Sequence, residues 1–224
     1  MHKVIPGLFL STLVLAGCSA AEEPKSPAAS APPAQTAAAS VKLRAALLPA
    51  PKGMTVAYGP ETGAFGSLKS TKQGMEALRQ AKAQHPECAG AAQLDAAKPE
   101  VAESPAAVVA FSADRGSITQ AVVSLPAAAF PEPLPQQCAD YTADVGGTQI
   151  TYTTKTLDMP AKGDQSRAYL TTAAGDKQNA QIGSVMIRRG NLIMSMLVVG
   201  QRVKPQGLYE LADLADQNLV RATA

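Results

Sequence analysis

The sequence predicts an α+β fold: an antiparallel sheet of about six to eight strands, helices packed largely on one face, and a single domain. Runs rich in β-branched residues alternate with turn residues from residue 106 to residue 199, which is the pattern of consecutive hairpins. Residues 208–221 place apolar side chains on one helical stripe, as expected of a helix that lies across a sheet. No second linker interrupts the chain after residue 41, so one hydrophobic core is expected.

The strands are predicted from runs of strand-forming residues and from the turns between them. They comprise residues 54–58, 106–113, 117–125, 141–145, 148–157, 166–172, 180–189 and 192–199. Asp114-Arg115-Gly116, Gly146-Gly147 and Gly190-Asn191 supply hairpin turns, because glycine and asparagine tolerate the positive φ that tight hairpins require. Both alternating faces of residues 192–199 are apolar, which predicts a central strand covered on both sides.

Helix-forming residues and prolines mark the remaining elements. The predicted helices are residues 41–48, 71–83, 88–94, 136–140 and 208–221. Pro49 and Pro86 set the ends of the first two, because proline disfavours a helical conformation in the residue before it. Gly59-Pro60 is expected to end the first strand. Gly63 and Gly66 then predict a flexible loop, since the glycine spacing matches neither a dinucleotide-binding nor a phosphate-binding motif.

The amino-terminal residues resemble a bacterial lipoprotein signal. Lys3 precedes an apolar run over residues 8–16, and Leu15-Ala16-Gly17 stands directly before Cys18, as in a lipobox. The run is too short to cross a bilayer, which needs about 20 apolar residues. The resemblance implies that residues 1–17 are a signal peptide and that the Cys18 thiol carries a diacylglyceryl group. An ordinary secretory signal, with Cys18 as an incidental thiol, is the alternative.

Residues 18–40 are predicted to be an acylated cysteine followed by a disordered tether. Between Ser19 and Ser40 the chain has no hydrophobic side chain larger than alanine, so it cannot bury enough apolar surface to offset its conformational entropy. Two or more acyl chains, such as palmitate, would anchor Cys18 stably. We therefore expect a protein anchored by lipid on the extracytoplasmic face of the cell membrane, with residues 41–224 as its folded domain.

Composition argues against two classes of ligand. The net charge is only +2 and no basic run occurs, whereas nucleic-acid-binding proteins carry strongly basic patches. Tryptophan is absent and aromatic residues make up 4% of the chain, so platforms for stacking bases or sugars are scarce. No nucleic-acid partner is therefore expected, and a carbohydrate-binding module is disfavoured.

Several short motifs occur in an order typical of one family. They are Leu47-Leu48-Pro49 before Pro51-Lys52-Gly53-Met54-Thr55-Val56, Pro86-Glu87-Cys88, Cys138 on a helix before a strand, Val185-Met186-Ile187-Arg188-Arg189-Gly190-Asn191, and the closing amphipathic helix. With these motifs, residues 43–221 resemble the PknH-like extracytoplasmic sensor domains of actinobacterial membrane serine/threonine kinases, a family that also occurs as free-standing lipoproteins. The resemblance implies a cleft over an antiparallel sheet that senses an unknown ligand. Kinase signalling is not carried over, because no kinase domain is recognised in the sequence.

In an extracytoplasmic protein Cys88 and Cys138 are most simply a disulfide, which would contribute about 4 kcal/mol by restricting the unfolded chain. The family resemblance implies that this bridge ties the segment after His85-Pro86 to the helix before Tyr141. A reactive thiol and a metal site that recruits His85 are the alternatives. The common Cys/His zinc spacings are absent, so no metal is predicted.

No catalytic residues and no cofactor are predicted. His85 is the one histidine after the signal segment, and neither a GxSxG nucleophile elbow nor an SxxK pair occurs. Carboxylates such as Asp144 and Asp164 stand at turn-like positions, where capping or solvation is their usual role. Arg188 and Arg189, beside a hairpin turn, are candidate contacts for a ligand or for anionic headgroups, with plain solvation as the alternative.

The expected function is binding rather than catalysis. The leading hypothesis is a surface lipoprotein that binds an unknown small molecule or envelope protein, in sensing or in envelope upkeep. The alternatives are a carrier of an apolar or lipid-like small molecule and a hydrolase. An internal apolar cavity would favour the carrier, an open polar groove the binding protein, and carboxylates that converge near His85 the hydrolase.

Overall fold

The computed structural model describes residues 34–175 and 179–223, and within them nine strands form one antiparallel sheet. The strands are β1 Thr55–Ala64, β2 Lys82–Ala83, β3 Pro105–Ala113, β4 Gly116–Ser124, β5 Asp140–Val145, β6 Thr148–Leu157, β7 Gln165–Ala174, β8 Asn179–Arg189 and β9 Leu192–Gly200. Their order is β1-β3-β4-β9-β8-β7-β6-β5-β2. The helices are α1 Ala34–Ala45, α2 Lys69–Gln80, α3 Pro99–Ala102 and α4 Pro205–Thr223.

The α+β class is confirmed, but the sheet has more strands than the six to eight predicted. Each predicted strand has a counterpart, and the additional one is β2, which pairs with β5 over only two residues. Two residues are too few to show a period-two pattern, so this strand is visible only through its partner. The hairpins β3–β4, β5–β6 and β8–β9 form at the predicted turns, and β9 lies between β4 and β8 as a central strand.

The prediction that the first strand ends at Gly59-Pro60 was wrong. Strand β1 runs on to Ala64 and pairs with β3 along its length, with register shifts on either side of Tyr58. It is an edge strand, where a proline without an N–H group is tolerated. Gly59 has φ of 85°, and a Cβ there would lie 2.6 Å from the Val108 carbonyl oxygen, so glycine permits this close approach. The segment is therefore strand rather than flexible loop.

Helices α1 and α4 cover one face of the sheet, which we call the helix face. Side chains from the central strands, including Val109, Phe111, Val122, Val185, Met194 and Met196, form one cluster with Leu43 and Leu47 near α1 and with Leu208 and Leu219 of α4. Gly183 allows the start of α4 to approach β8, because a Cβ there would lie 2.9 Å from Val203 and 3.0 Å from Leu208. The main hydrophobic core lies in this layer.

Helix α1 begins earlier than the predicted helix over residues 41–48. It starts at Ala34, so residues 34–40 are helical although they fall in the segment predicted to be a disordered tether. Alanine has the highest helix propensity, and this stretch is rich in it. The remainder of the predicted tether lies outside the described residues, as does the predicted signal peptide.

The opposite face of the sheet is covered differently. A smaller cluster, which includes Phe65, Leu68, Leu94, Val108 and Ile193, fills one part of it. Helix α2 spans another part, yet none of its residues is fully buried, so it stands over the sheet without packing closely against it. This face, which we call the groove face, therefore retains an open space. Across the described ranges, no helix combines the length and apolar character needed to cross a membrane.

Candidate functional site

The space beneath helix α2 is a groove of about 1240 Å³ that is partly open to solvent. Its floor is formed by side chains of β3, β4 and β9: Val108, Thr119, Ala121, Ser195 and Leu197. These residues share one face because Thr119 pairs with Leu197 and Ala121 pairs with both Ser195 and Val108. Met75 and Leu78 of α2 and Leu94 of the following loop form much of its apolar wall.

The loop that follows α2 is held against the sheet at two points. Cys88 and Cys138 form the predicted disulfide, with their Cα atoms 5.0 Å apart and both residues buried. The Gln84 N–H donates a hydrogen bond of 2.8 Å to the Thr142 carbonyl, next to the short β2–β5 pairing. These links hold one wall of the groove in place without a packed helix.

A smaller pocket, which we call the pit, adjoins the groove below this loop. Its volume is about 140 Å³, and it shares Leu78 and Leu197 with the groove. The residues that distinguish the pit are Cys88, Cys138, Tyr141, Tyr152, Thr154, Thr171 and Ser184. The groove and the pit therefore lie side by side on the groove face of the sheet.

The hydroxyl groups of the pit differ in their partners. Thr154 Oγ1 and Thr171 Oγ1 are hydrogen-bonded to each other at 2.9 Å across strands β6 and β7. Ser184 is 3% exposed, and its Oγ has no hydrogen-bond partner among the described residues. A buried polar atom without a partner is uncommon, because it loses its hydration and gains nothing in exchange.

Two stacked aromatic rings belong to the lining of the pit. The rings of Tyr141 and Tyr152 lie 4.9 Å apart between centroids and are inclined by 10°. Burial raises the pKa of the Tyr141 hydroxyl, and the neighbouring Tyr152 raises it further; burial also raises the pKa of Tyr152. Both hydroxyls are therefore uncharged at neutral pH, and the residues that line the pit include no ionisable group charged at that pH.

Charged residues along the groove are balanced in sign. Arg79, Lys82 and Lys98 contribute positive charge, and Glu87, Asp95 and Glu132 contribute negative charge. An electrostatic field of one sign would attract an anion or a cation. This lining provides no such field.

Arg188 and Arg189 are not among the residues that line the groove or the pit. Arg188 Nη1 donates to Asp164 Oδ2 at 3.2 Å and to the Gly190 carbonyl at 2.9 Å. Arg189 binds Asp216 of α4 through two hydrogen bonds of 2.7 and 2.9 Å. Both guanidinium groups thus have partners within the chain, and their contact with a ligand or with headgroups stays a prediction.

The residues considered for catalysis do not converge. His85 Nδ1 lies 3.7 Å from Glu87 Oε1, and both side chains are well exposed. In the part of the chain that the structure describes, no three histidine, cysteine or acidic residues are close enough to hold a metal ion. Asp144 Oδ1 accepts a hydrogen bond of 2.9 Å from the Gly147 N–H, so this carboxylate caps the β5–β6 turn as expected.

The sequence did not single out the residues of the pit. The sequence pattern that could have indicated them is the alternation of side chains on β8. Ser184 stands between Ile182 and Met186 on the groove face, while Val185 and Ile187 face the helices. A small polar residue inside an apolar face indicates a position that is not packed like a core. Cys18, the predicted lipidation site, lies outside the described residues.

Comparison with known proteins shows similarity of structure rather than of sequence. No family model matches the chain, and no curated protein matches it significantly in sequence. The structure resembles the extracellular domain of PknH from Mycobacterium tuberculosis, with a TM-score of 0.54 and 15% identity over 82% of this chain and 96% of that one. An uncharacterised protein of Mycobacterium smegmatis matches with a TM-score of 0.46 and 11% identity, over 83% and 94% of the two chains. The chain has a PknH-like extracytoplasmic domain fold.

Proposed function

We propose that this chain is an extracytoplasmic lipoprotein that binds a ligand in the groove between helix α2 and the sheet, with acylated Cys18 as its membrane anchor. The single observation that carries the proposal is the groove itself: about 1240 Å³, lined mainly by apolar side chains and with central strands of the sheet as its floor. Small-molecule sites are typically concave, largely apolar and about 300–1,000 Å³ in volume. The groove is large enough for a small molecule with an extended apolar body.

The construction of the groove favours binding over simple structural packing. Helix α2 is amphipathic in sequence, yet its Met75 and Leu78 face the groove instead of closing against the sheet. Protein interiors are usually close-packed. An apolar helix face that borders an open space is therefore typical of a surface that binds another molecule. The fold shared with an extracellular domain supports an extracytoplasmic location.

A carrier of an apolar small molecule is the second candidate, and the apolar lining favours it. The two functions differ in how the ligand is released: a carrier exchanges its ligand with a membrane, whereas a sensor retains it and presents a changed surface to a partner. Since the groove is partly open, both kinds of exchange are sterically feasible.

The proposal is tested by native mass spectrometry of the protein purified from its own host. A retained small molecule is expected on the unsubstituted protein. Thr119→Trp places a large side chain on the groove floor and should abolish that retention, since tryptophan is tolerated in strands but fills the space. Thr151→Trp is the matched control, because Thr151 is exposed on β6 and lies outside the groove. Equal retention by both variants would contradict binding in the groove.

A further inference from the structure

The pit indicates what one end of the ligand is made of, because the side chains that line it differ from those of the groove. The groove is large and mainly apolar, whereas the pit is small and carries hydroxyl groups among its apolar side chains, those of Tyr141, Tyr152, Thr154, Thr171 and Ser184. Leu78 and Leu197 line both, so one molecule can occupy the two spaces together. The two environments therefore suit the two ends of an amphipathic ligand.

Ser184 is the residue that points to a polar group in the pit. Its strand neighbours across the sheet are Leu197 on β9 and Tyr169 on β7, so its side chain projects from the groove face. The two threonines beside it already bond to each other, whereas the Ser184 Oγ is fully buried and has no hydrogen-bond partner among the described residues. A hydroxyl both donates and accepts one hydrogen bond readily, so either a donor or an acceptor on the ligand satisfies it.

The residues that line the pit include none that is charged at neutral pH, and this limits the chemistry of the polar group that can bind there. A carboxylate, phosphate or ammonium buried there would lose its hydration and find no opposite charge, which is far more costly than burying a neutral group that forms a hydrogen bond. The stacked tyrosines also remain neutral at physiological pH. The balanced charges along the groove favour neither an anion nor a cation.

The volumes of the pit and the groove limit the size of the groups that each can hold. A cavity of about 150 Å³ is known to accommodate a benzene ring, so a pit of about 140 Å³ takes a group of roughly that size or a short polyol or ester. The groove, at about 1240 Å³, holds a much larger apolar portion.

We propose that the groove and the pit bind a neutral amphipathic molecule, whose hydroxyl, ester or amide end enters the pit and hydrogen-bonds Ser184 while its apolar body lies in the groove. This inference rests on the proposed binding function of the groove and adds the chemical class of the ligand. The carrier hypothesis and the sensor hypothesis both accommodate such a ligand.

The test compares head groups on one apolar chain. The secreted full chain carrying Cys18→Ser is used, so that no attached acyl group competes. Monolauroylglycerol, laurate and dodecyltrimethylammonium, each below its micelle concentration, are tested for displacement of N-phenyl-1-naphthylamine, a neutral apolar fluorophore that reports on the groove. The neutral monolauroylglycerol should displace the fluorophore at a concentration at least about tenfold lower than either charged amphiphile does.

Ser184→Ala tests the role of the pit directly. Losing one neutral hydrogen bond should weaken monolauroylglycerol binding about threefold to tenfold, while fluorophore binding stays unchanged. Folding should be retained, because the substitution removes a buried hydroxyl that has no partner. Ser117→Ala is the matched control: Ser117 lies on strand β4 outside the residues that line the groove and the pit, so affinity should change by less than about twofold.

The outcomes separate this inference from the proposed function. If the fluorophore binds but charged and neutral amphiphiles compete equally, or if Ser184→Ala binds monolauroylglycerol as tightly as Ser117→Ala does, the ligand class is wrong and groove binding stands. If neither the fluorophore nor any of the amphiphiles binds, the proposed groove function itself fails. The comparison of head groups needs no substitution at Ser184, so it decides the inference even if that variant misfolds.

Discussion

At the residue scale, two buried amides satisfy the backbone beyond the end of helix α1. The Leu48 N–H donates to Gln120 Oε1 at 2.7 Å, and Asn218 Nδ2 donates to the Leu47 carbonyl at 2.8 Å. Backbone groups beyond a helix end lack helical partners and must find others when they are buried. Gln120 on β4 and Asn218 on α4 thus connect the chain after α1 to the sheet and to the last helix.

Asn218→Ala should lower the free energy of unfolding by about 1–3 kcal/mol. The substitution leaves the buried Leu47 carbonyl without its donor and opens a small space beside Leu219. Urea unfolding, followed by circular dichroism, measures the change. Gln217→Ala is the control, because Gln217 is exposed on the same helix and should change stability by less than about 0.5 kcal/mol. Equal effects of the two variants would contradict the buried hydrogen bond.

Tyr141 and Tyr152 predict a loss of stability in alkaline solution. Their pKa values are raised in the folded state, mainly by burial, so the fold favours the protonated hydroxyls. Their contribution to stability is present in full below the unfolded pKa of about 10 and is lost as the pH rises toward the folded values. The double variant Tyr141→Phe, Tyr152→Phe should flatten the fall in melting temperature above pH 10.

The control for this titration is Tyr209→Phe, which removes a hydroxyl from helix α4 on the other side of the sheet. This variant should retain the fall seen in the unsubstituted protein. A double variant that falls as steeply as the control would show that the two stacked tyrosines do not control the alkaline transition.

At the scale of elements, helix α4 is docked by packing and by charge together. Its apolar stripe, with Leu208, Ala212 and Leu219, lies in the main core. Near its carboxyl-terminal half, Asp216 accepts two hydrogen bonds from Arg189 at the end of β8, and this interaction raises the pKa of the arginine. A bidentate pair fixes orientation as well as distance. Arg189, which was predicted as a possible ligand contact, thus helps to orient helix α4 on the sheet.

The loop between α2 and β3 depends on a different kind of link. Few of its residues are buried, and the Cys88–Cys138 disulfide ties it to the segment before β5. Replacing both cysteines by serine should cost about 2–4 kcal/mol, because the unfolded chain gains freedom that the bridge withheld. Urea unfolding measures the loss, and the far-ultraviolet spectrum should be nearly unchanged, since this segment contributes only the two-residue strand β2 to the sheet.

Thiol titration of the unfolded, unreduced protein provides the independent check on this bridge. No free thiol from Cys88 or Cys138 is expected. Two titratable thiols would contradict the disulfide, and an unchanged stability of the double variant would show that the bridge does not restrict the unfolded chain appreciably.

At the scale of the whole molecule, the groove opens on the face of the sheet opposite the two long packed helices. The sheet has one face sealed by α1 and α4 and the other spanned loosely by α2 and loops. A sealed layer supplies stability, while the loosely covered layer can open for a ligand at lower cost. We therefore expect the face covered by α1 and α4 to unfold less readily than the face spanned by α2.

The membrane attachment is predicted at this scale too. Cys18→Ser should shift the protein from the membrane fraction to the soluble fraction, because the acyl chains supply the anchoring free energy. Ser19→Ala, next to the predicted site, should leave the distribution unchanged. Cell fractionation and metabolic labelling with palmitate measure the two variants. Persistence of Cys18→Ser in membranes would contradict the lipobox interpretation.

Much of the architecture was accessible from local patterns. The hairpins at Gly146-Gly147 and Gly190-Asn191, the central strand β9 and the closing helix α4 follow from turn chemistry and from periodicity, which depend on neighbours in sequence. The disulfide was predicted because two cysteines follow the predicted lipidation site in a chain predicted to be extracytoplasmic, and the structure pairs them. The resemblance to PknH-like domains rested on short motifs along most of the chain, and the fold agrees with it.

What only the tertiary structure decided was set by contacts between distant segments. Strand β1 continues past Pro60 because β3 offers it a partner along an edge, and β2 exists because β5 lies beside it. The pit also depends on distant segments. Ser184 lies in an ordinary strand pattern, and only the position of the loop after α2 shows that its hydroxyl is buried without a hydrogen-bond partner. Periodicity indicates which side chains share a face, but what covers that face, and how tightly, depends on long-range packing.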